Sequence, residues 1–111
     1  MARTVVVVAS QLITTLSALA YLRHRNITGT NLRMLSLERL DHVHAAHAFE
    51  EVLISLAARD GHRCVFGELS ALPKEPEGLI CDLLLLPRVD HKHGWEVLQR
   101  CLPDVVIELG E

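Results

Sequence analysis

Histidine and carboxylate side chains are concentrated in a few short stretches of this sequence. The densest stretch is His42-Val43-His44-Ala45-Ala46-His47, followed by Glu51. On a helix, with about 100° between successive residues, His44, His47 and Glu51 project to one side. Two imidazoles and a carboxylate can bind Zn²⁺. A solvated polar helix face explains the same pattern, and we expect that face and no bound metal.

A second polar stretch, Asp90-His91-Lys92-His93, follows the apolar run that ends at Leu86. In doubly wound sheets, ligands collect where strands end. A histidine at that position can act as a general acid or hold a phosphate group. We therefore predict His91 as a catalytic residue and Asp90 and His93 as substrate-binding residues. The alternative is an ordinary polar loop that caps the next helix.

Ser10 and Gln11 follow the first apolar run, and Glu111 lies at the other end of the sequence. We predict that Ser10 and Gln11 bind substrate; the alternative for Ser10 is a helix cap, a role that suits it better than that of a nucleophile. A carboxylate such as Glu111 can serve as a general base. The turn Val8 to Gln11 contains no glycine, which excludes the dinucleotide fingerprint and the phosphate-binding loop.

The elements that must position these residues alternate between strand and helix. Unbroken apolar runs bounded by turn residues predict the strands, and helical apolar spacing predicts the helices. The expected strands are Thr4–Ala9, Leu32–Leu37, Arg63–Leu69, Leu79–Pro87 and Val105–Leu109. The expected helices are Leu12–Arg25, a second one capped by Asp41 and running to about Arg59, and Trp95–Leu102, which Pro103 stops.

This alternation predicts a single Rossmann-like α/β domain over residues 1–111. Its expected form is a three-layer structure, with a mainly parallel sheet of about five strands and helices on both faces. The 50% apolar and 4% aromatic composition fits a core of aliphatic side chains, as in buried parallel sheets.

Charge, hydropathy and cysteine content argue against several classes of function and indicate the cellular compartment. The net charge is −3 and no long basic run occurs, so we expect no nucleic-acid binding. Polar residues interrupt the apolar stretch from Thr4 to Leu22, which argues against a signal peptide or a membrane span. The three cysteines form no CxxC pair. We interpret them as core thiols of a protein in a reducing compartment, and we expect a cytoplasmic location.

Two stretches together resemble a known family. Val5 to Leu22 is similar to the opening of bacterial sialyl- and polysialyltransferases of the GT-B type, and Leu102 to Glu111 resembles that family's strand before an acidic-acidic-Gly motif. The resemblance implies an N-terminal lobe that binds a sugar acceptor, while a second lobe holds most of a CMP-activated sugar donor. It also implies that Glu111 is the general base, with Gly110 in the place of the family's first acidic residue.

Three functions remain open at this stage. The first is the glycosyltransferase-like lobe, a fragment of a larger protein that is inactive alone and requires no further cofactor. The second is a non-catalytic Rossmann-like module that binds a nucleotide or a partner, such as a second lobe or another copy of the chain. The third is a metal-dependent hydrolase built on the histidine cluster, whose H-x-H-x-x-H spacing resembles that of metallo-β-lactamase-type enzymes.

Overall fold

The computed structural model describes residues 2–8, 12–36, 43–74, 77–87 and 91–109, without the side chains of residues 12, 13, 36, 43–49, 87 and 91–93. Strands and helices alternate through these ranges. The elements are β1 (Thr4–Val8), α1 (Leu12–His24), β2 (Asn31–Ser36), α2 (Val43–Arg59), β3 (Arg63–Glu68), a 3₁₀ turn (Leu69–Ala71), β4 (Leu79–Pro87), α3 (His91–Arg100) and β5 (Cys101–Leu109).

The five strands form one sheet in the order β3-β2-β1-β4-β5. Every neighbouring pair is parallel, with Val5, for example, aligned with Leu32 on one side and Leu83 on the other. The predicted parallel α/β architecture is therefore confirmed.

Both faces of the sheet are covered, which gives three layers. Val5 and Val7 pack in a cluster with residues of α1 and α2, while Val6 and Val8 pack in another with Val97 of α3. All four valines are fully buried. The unbroken valine run thus reflects a central strand with no solvent-facing side.

Left-handed backbone conformations end the helices that lie on the first face. Asn26 has φ 58°, just after α1, and Gly61 has φ 77°, just after α2. Gly61 donates its N–H to the carbonyl of Ala58, as expected for a helix cap. The predicted end of α2 at Asp60-Gly61 is confirmed.

The last helix and strand differ from the prediction. We predicted a helix over Trp95–Leu102 after a polar loop, but α3 begins at His91 and β5 already begins at Cys101. Pro103 therefore lies inside a strand and does not stop the helix. An edge strand tolerates proline because the missing N–H can face outward, and β5 pairs with β4 alone in the part of the chain described.

The face of α2 that packs on the sheet includes a small side chain. Val52 is exposed, whereas the small Ala57 is fully buried. On α1, Ala18 is fully buried and Leu16 is partly exposed. Small side chains let both helices approach the sheet closely, so size as well as hydropathy selects the buried face. No helix within the described ranges is long and apolar enough to cross a membrane.

Candidate functional site

The chain reverses its direction of winding between β1 and β4. From β1 it proceeds outward through β2 to β3, and it then returns to add β4 and β5 on the other side of β1. Helices α1 and α2 lie on one face, and α3 lies on the other. In such sheets, ligands bind in the crevice outside the carboxyl ends of the two strands at the reversal. The reversal point here is the end of β1 beside the end of β4.

The predicted substrate-binding residues follow these two strand ends in sequence. Ser10 and Gln11 come shortly after Val8, and Asp90 comes between β4 and α3. All three lie outside the described residues, as does Glu111, which follows the end of β5. The structure brings the two strand ends together, and the contacts of these four side chains stay a prediction.

The first turn of α3 differs from the loop that we expected after β4. The backbone of His91, Lys92 and His93 is helical and forms the start of α3. Their side chains lie outside the described part of the structure. Neither α3 nor α1, the two helices that begin at this edge, has an acidic residue in its first turn. The amino end of a helix carries a partial positive charge, so a basic first turn adds positive charge where an anion would be stabilised.

The histidine cluster lies on another element, near the start of α2. His44 and His47 lie within the helix, Glu51 is exposed on it, and His42 lies outside the described residues. Among the side chains that the structure describes, no three His, Cys, Asp or Glu residues approach closely enough to hold a metal ion. The side chains of His44 and His47 are not among them, so the zinc interpretation stays a prediction.

The cysteines are core thiols, as predicted. Cys81 and Cys101 are buried and Cys64 is half-buried, and none forms a disulfide. Burial is the main cause that raises the pKa of Cys81 to about 12 and those of Cys64 and Cys101 to about 11. These thiols are protonated at neutral pH, which makes them poor nucleophiles.

Sequence reasoning missed a cavity of about 430 Å³ between α1 and α2. It lies toward the carboxyl ends of both helices, at the opposite edge of the sheet from the reversal point. Arg23 and Asp60 form an ion pair there, with Nε–Oδ2 and Nη2–Oδ1 distances of 3.2 Å. Arg23 lies in the last turn of α1, where a cation offsets the partial negative charge of the helix end, and Asp60 is its ion-pair partner, so both residues have a structural explanation.

No family model, curated protein or solved structure matches this chain. Its class is therefore defined by its own architecture: a doubly wound, Rossmann-like α/β protein with five parallel strands and a reversal point between β1 and β4.

Proposed function

We propose that this protein binds an anionic ligand of the nucleotide or nucleotide-sugar class in the crevice between the carboxyl ends of β1 and β4. The observation that carries the proposal is the start of α3 at this crevice with His91, Lys92 and His93 in its first turn. A bound phosphate group would gain from the backbone N–H groups of that turn as well as from the positive side chains.

Positive charge in the first turn of α3 is unfavourable for the helix itself but favourable for a bound anion. A charge near a helix end changes stability by about 0.3–1 kcal/mol, and a cation at the amino end acts in the unfavourable direction. Because Lys92 lies in the first turn of α3, we expect it to be slightly unfavourable for the helix in the absence of an anion. A phosphate at the same place reverses the sign of that contribution.

The more specific version of this proposal is a glycosyltransferase-like function. Its support is the resemblance of the first and last segments of the sequence to sialyl- and polysialyltransferases. In that function Ser10 and Gln11 line the acceptor side, and Asp90 and His93 bind substrate. His91 is the general acid and Glu111 the general base, which removes the proton of the acceptor hydroxyl. The donor is a CMP-activated sugar. A non-catalytic nucleotide-binding module shares the crevice but has no turnover.

Isothermal titration calorimetry with CMP and with cytidine tests the binding proposal, because the two ligands differ by one phosphate group. We expect CMP to bind about tenfold or more tightly than cytidine. The variant Lys92→Ala should lose most of that difference. The matched control is His24→Ala, which removes an exposed basic residue at the opposite end of α1. Equal affinity for CMP and cytidine, or no binding of either, contradicts the proposal.

Turnover distinguishes the transferase from the binding module. Donor hydrolysis and sugar transfer are measured with a CMP-activated sugar on the full-length gene product, beside its Glu111→Gln variant. A general base contributes about 10²–10⁴-fold to the rate, so we expect a loss of that order in the variant. If turnover in Glu111→Gln is unchanged, Glu111 is not the base. If CMP binds but no donor is consumed, the non-catalytic module remains.

A further inference from the structure

The cavity between α1 and α2 is an open groove with an apolar part and a basic part. Its volume of about 430 Å³ is within the range of roughly 300–1,000 Å³ that is typical of ligand sites. The apolar part is lined by Leu16, Leu19, Ala20 and Leu56. Leu16 is 37% exposed, and Val52, one turn before Leu56 on the same side of α2, is 53% exposed. Apolar surface of both helices is therefore open to solvent beside the cavity.

Helical spacing places the α1 residues of the groove on one side of the helix. Leu19, Ala20 and Arg23 follow Leu16 by three, four and seven positions, which share a helix face. At a rise of about 1.5 Å per residue, Leu16 and Arg23 are about 10 Å apart along the axis. Ala20 lies between them, and its small side chain leaves space that a leucine would fill. The groove is thus an apolar channel that leads to basic residues.

The basic part of the groove carries one uncompensated positive charge. It is lined by Arg23, Arg59 and Asp60, together with the exposed His24. Arg23 and Asp60 neutralise each other in their ion pair. Arg59 is exposed and has no hydrogen-bond or ion-pair partner among the residues that the structure describes. The end of α2 explains a cation at Arg59, but it does not explain the exposed apolar surface that leads there.

We propose that this groove binds an amphiphilic carboxylate of the fatty-acid class, with its carboxylate on Arg59 and its apolar chain between Leu16 and Leu56. Binding removes the methylene groups of the chain from water and also covers the exposed leucine surface, and both contributions are favourable. The groove lies at the opposite edge of the sheet from the crevice between β1 and β4. This site is therefore distinct from the nucleotide site and does not depend on it.

Charge and geometry favour a carboxylate as the head group. A guanidinium can bind a carboxylate through two parallel hydrogen bonds, and Arg23 binds Asp60 in this way within the same groove. One uncompensated positive charge matches the single negative charge of a carboxylate. A phosphate monoester carries about −1.5 to −2 charges at neutral pH, so Asp60 would repel it more strongly.

A titration with three small ligands, followed by NMR of the ¹⁵N-labelled chain, tests the site. Octanoate should bind saturably and shift amide signals of α1 and α2. Butyrate has the same head group and a shorter chain, so we expect it to bind about tenfold or more weakly. Octan-1-ol has the same chain without the charge and should bind about threefold or more weakly. Octyl phosphate is compared with octanoate, and tighter binding of the phosphate overturns the assignment to a carboxylate.

A pair of arginine variants locates the head group. Arg59→Gln should weaken the binding of octanoate about threefold or more and leave that of octan-1-ol unchanged. The matched control is Arg63→Gln, which removes the same charge from an exposed residue of β3. Its neighbour Cys64 packs in the cluster under α1 and α2, so Arg63 faces the other side of the sheet. Arg63→Gln should therefore bind octanoate with native affinity.

A pair of alanine variants locates the apolar chain. Ala20→Leu fills the groove and should weaken the binding of octanoate about tenfold or more. Ala58→Leu adds the same side chain at an exposed position of α2 outside the groove, and should bind octanoate normally. Circular dichroism verifies that each variant is folded.

Four results overturn the proposal. The first is the absence of saturable octanoate binding to the native chain, and the second is equal affinity for octanoate and octan-1-ol. The third is an equal loss of affinity in Arg59→Gln and Arg63→Gln, which would indicate attraction by overall charge. The fourth is native affinity in Ala20→Leu, which would place the ligand outside the groove.

Discussion

The imidazole of His62 is hydrogen-bonded to Thr30, which lies 32 positions earlier in the sequence. Its Nδ1 accepts the backbone N–H of Thr30 at 3.2 Å and lies 2.8 Å from the Thr30 hydroxyl oxygen. Acceptance at Nδ1 places the ring proton on Nε2, which is buried and has no partner within the part of the chain described. The contact joins the turn before β2 to the turn before β3. A hydrogen bond from the Gly29 N–H to the Asp60 carbonyl also connects these two turns.

Because of this contact, acid should destabilise the protein. The pKa of His62 is lowered, mainly by desolvation and against the smaller opposite effect of Asp60. The folded state therefore favours neutral His62, and the unfolded chain binds the proton more readily. His62 stabilises the fold above its ordinary pKa of 6.5, and that contribution is lost as the pH falls below this value. Urea unfolding at several pH values measures the effect.

A pair of variants isolates the contribution of His62 to that pH dependence. The His62→Gln variant removes the titrating ring, so its unfolding free energy should fall less steeply below pH 6.5 than that of the native chain. His24 is exposed at the end of α1, and His24→Ala should keep the native slope. Equal slopes for His62→Gln and the native chain would show that other groups cause the acid sensitivity.

Gly78 is required by a close approach of two backbone segments. A Cβ atom added there would lie 2.7 Å from the carbonyl oxygen of Arg100, just before β5. Relief of that clash requires a backbone shift, so Gly78→Ala should lower the unfolding free energy by about 1–3 kcal/mol. In β3, a Cβ at Gly67 meets Leu35 at an ordinary 3.7 Å. Gly67→Ala is therefore the control, expected to be neutral or stabilising by up to about 1 kcal/mol. Similar effects of the two changes would refute this explanation.

The raised thiol pKa values predict slow alkylation of the native protein. Cys81 and Cys101 are buried, with pKa values of about 12 and about 11, so the thiolate fraction at neutral pH is very small. Iodoacetamide labelling followed by mass spectrometry should modify the native chain slowly and the urea-unfolded chain rapidly at both positions. Fast native labelling of Cys101 would mean that its end of β5 opens readily.

The central strands were predictable because their sequence signal is local. Val5 to Val8 and Leu83 to Leu86 are unbroken aliphatic runs, the pattern of strands buried on both faces. Their order in the sheet was not predictable, since it depends on contacts between distant segments. The start of α3 and the strand around Pro103 were mispredicted because polar residues and proline usually indicate loops.

The location of the candidate site followed from the alternation of strands and helices alone. In a parallel sheet all carboxyl ends meet at one edge, so the residues after β1 and β4 had to share it. The strand order adds that these two ends are adjacent. The bond between Thr30 and His62 had no sequence signal, because a contact across two turns depends on how α1 and α2 pack.

Arg100 provides the last test, because its side chain connects α3 to the segment between β3 and β4. The guanidinium donates to the carbonyls of Ser70 and Leu72. Arg100→Met keeps an apolar stem and removes the donors, which should cost about 1.5–3 kcal/mol of unfolding free energy. Arg59 is an exposed residue in the last turn of α2, so Arg59→Met should change stability by less than about 0.5 kcal/mol. Urea unfolding of both variants decides the point. If they lose equal stability, positive charge at a helix end, and not the two carbonyl contacts, explains the role of Arg100.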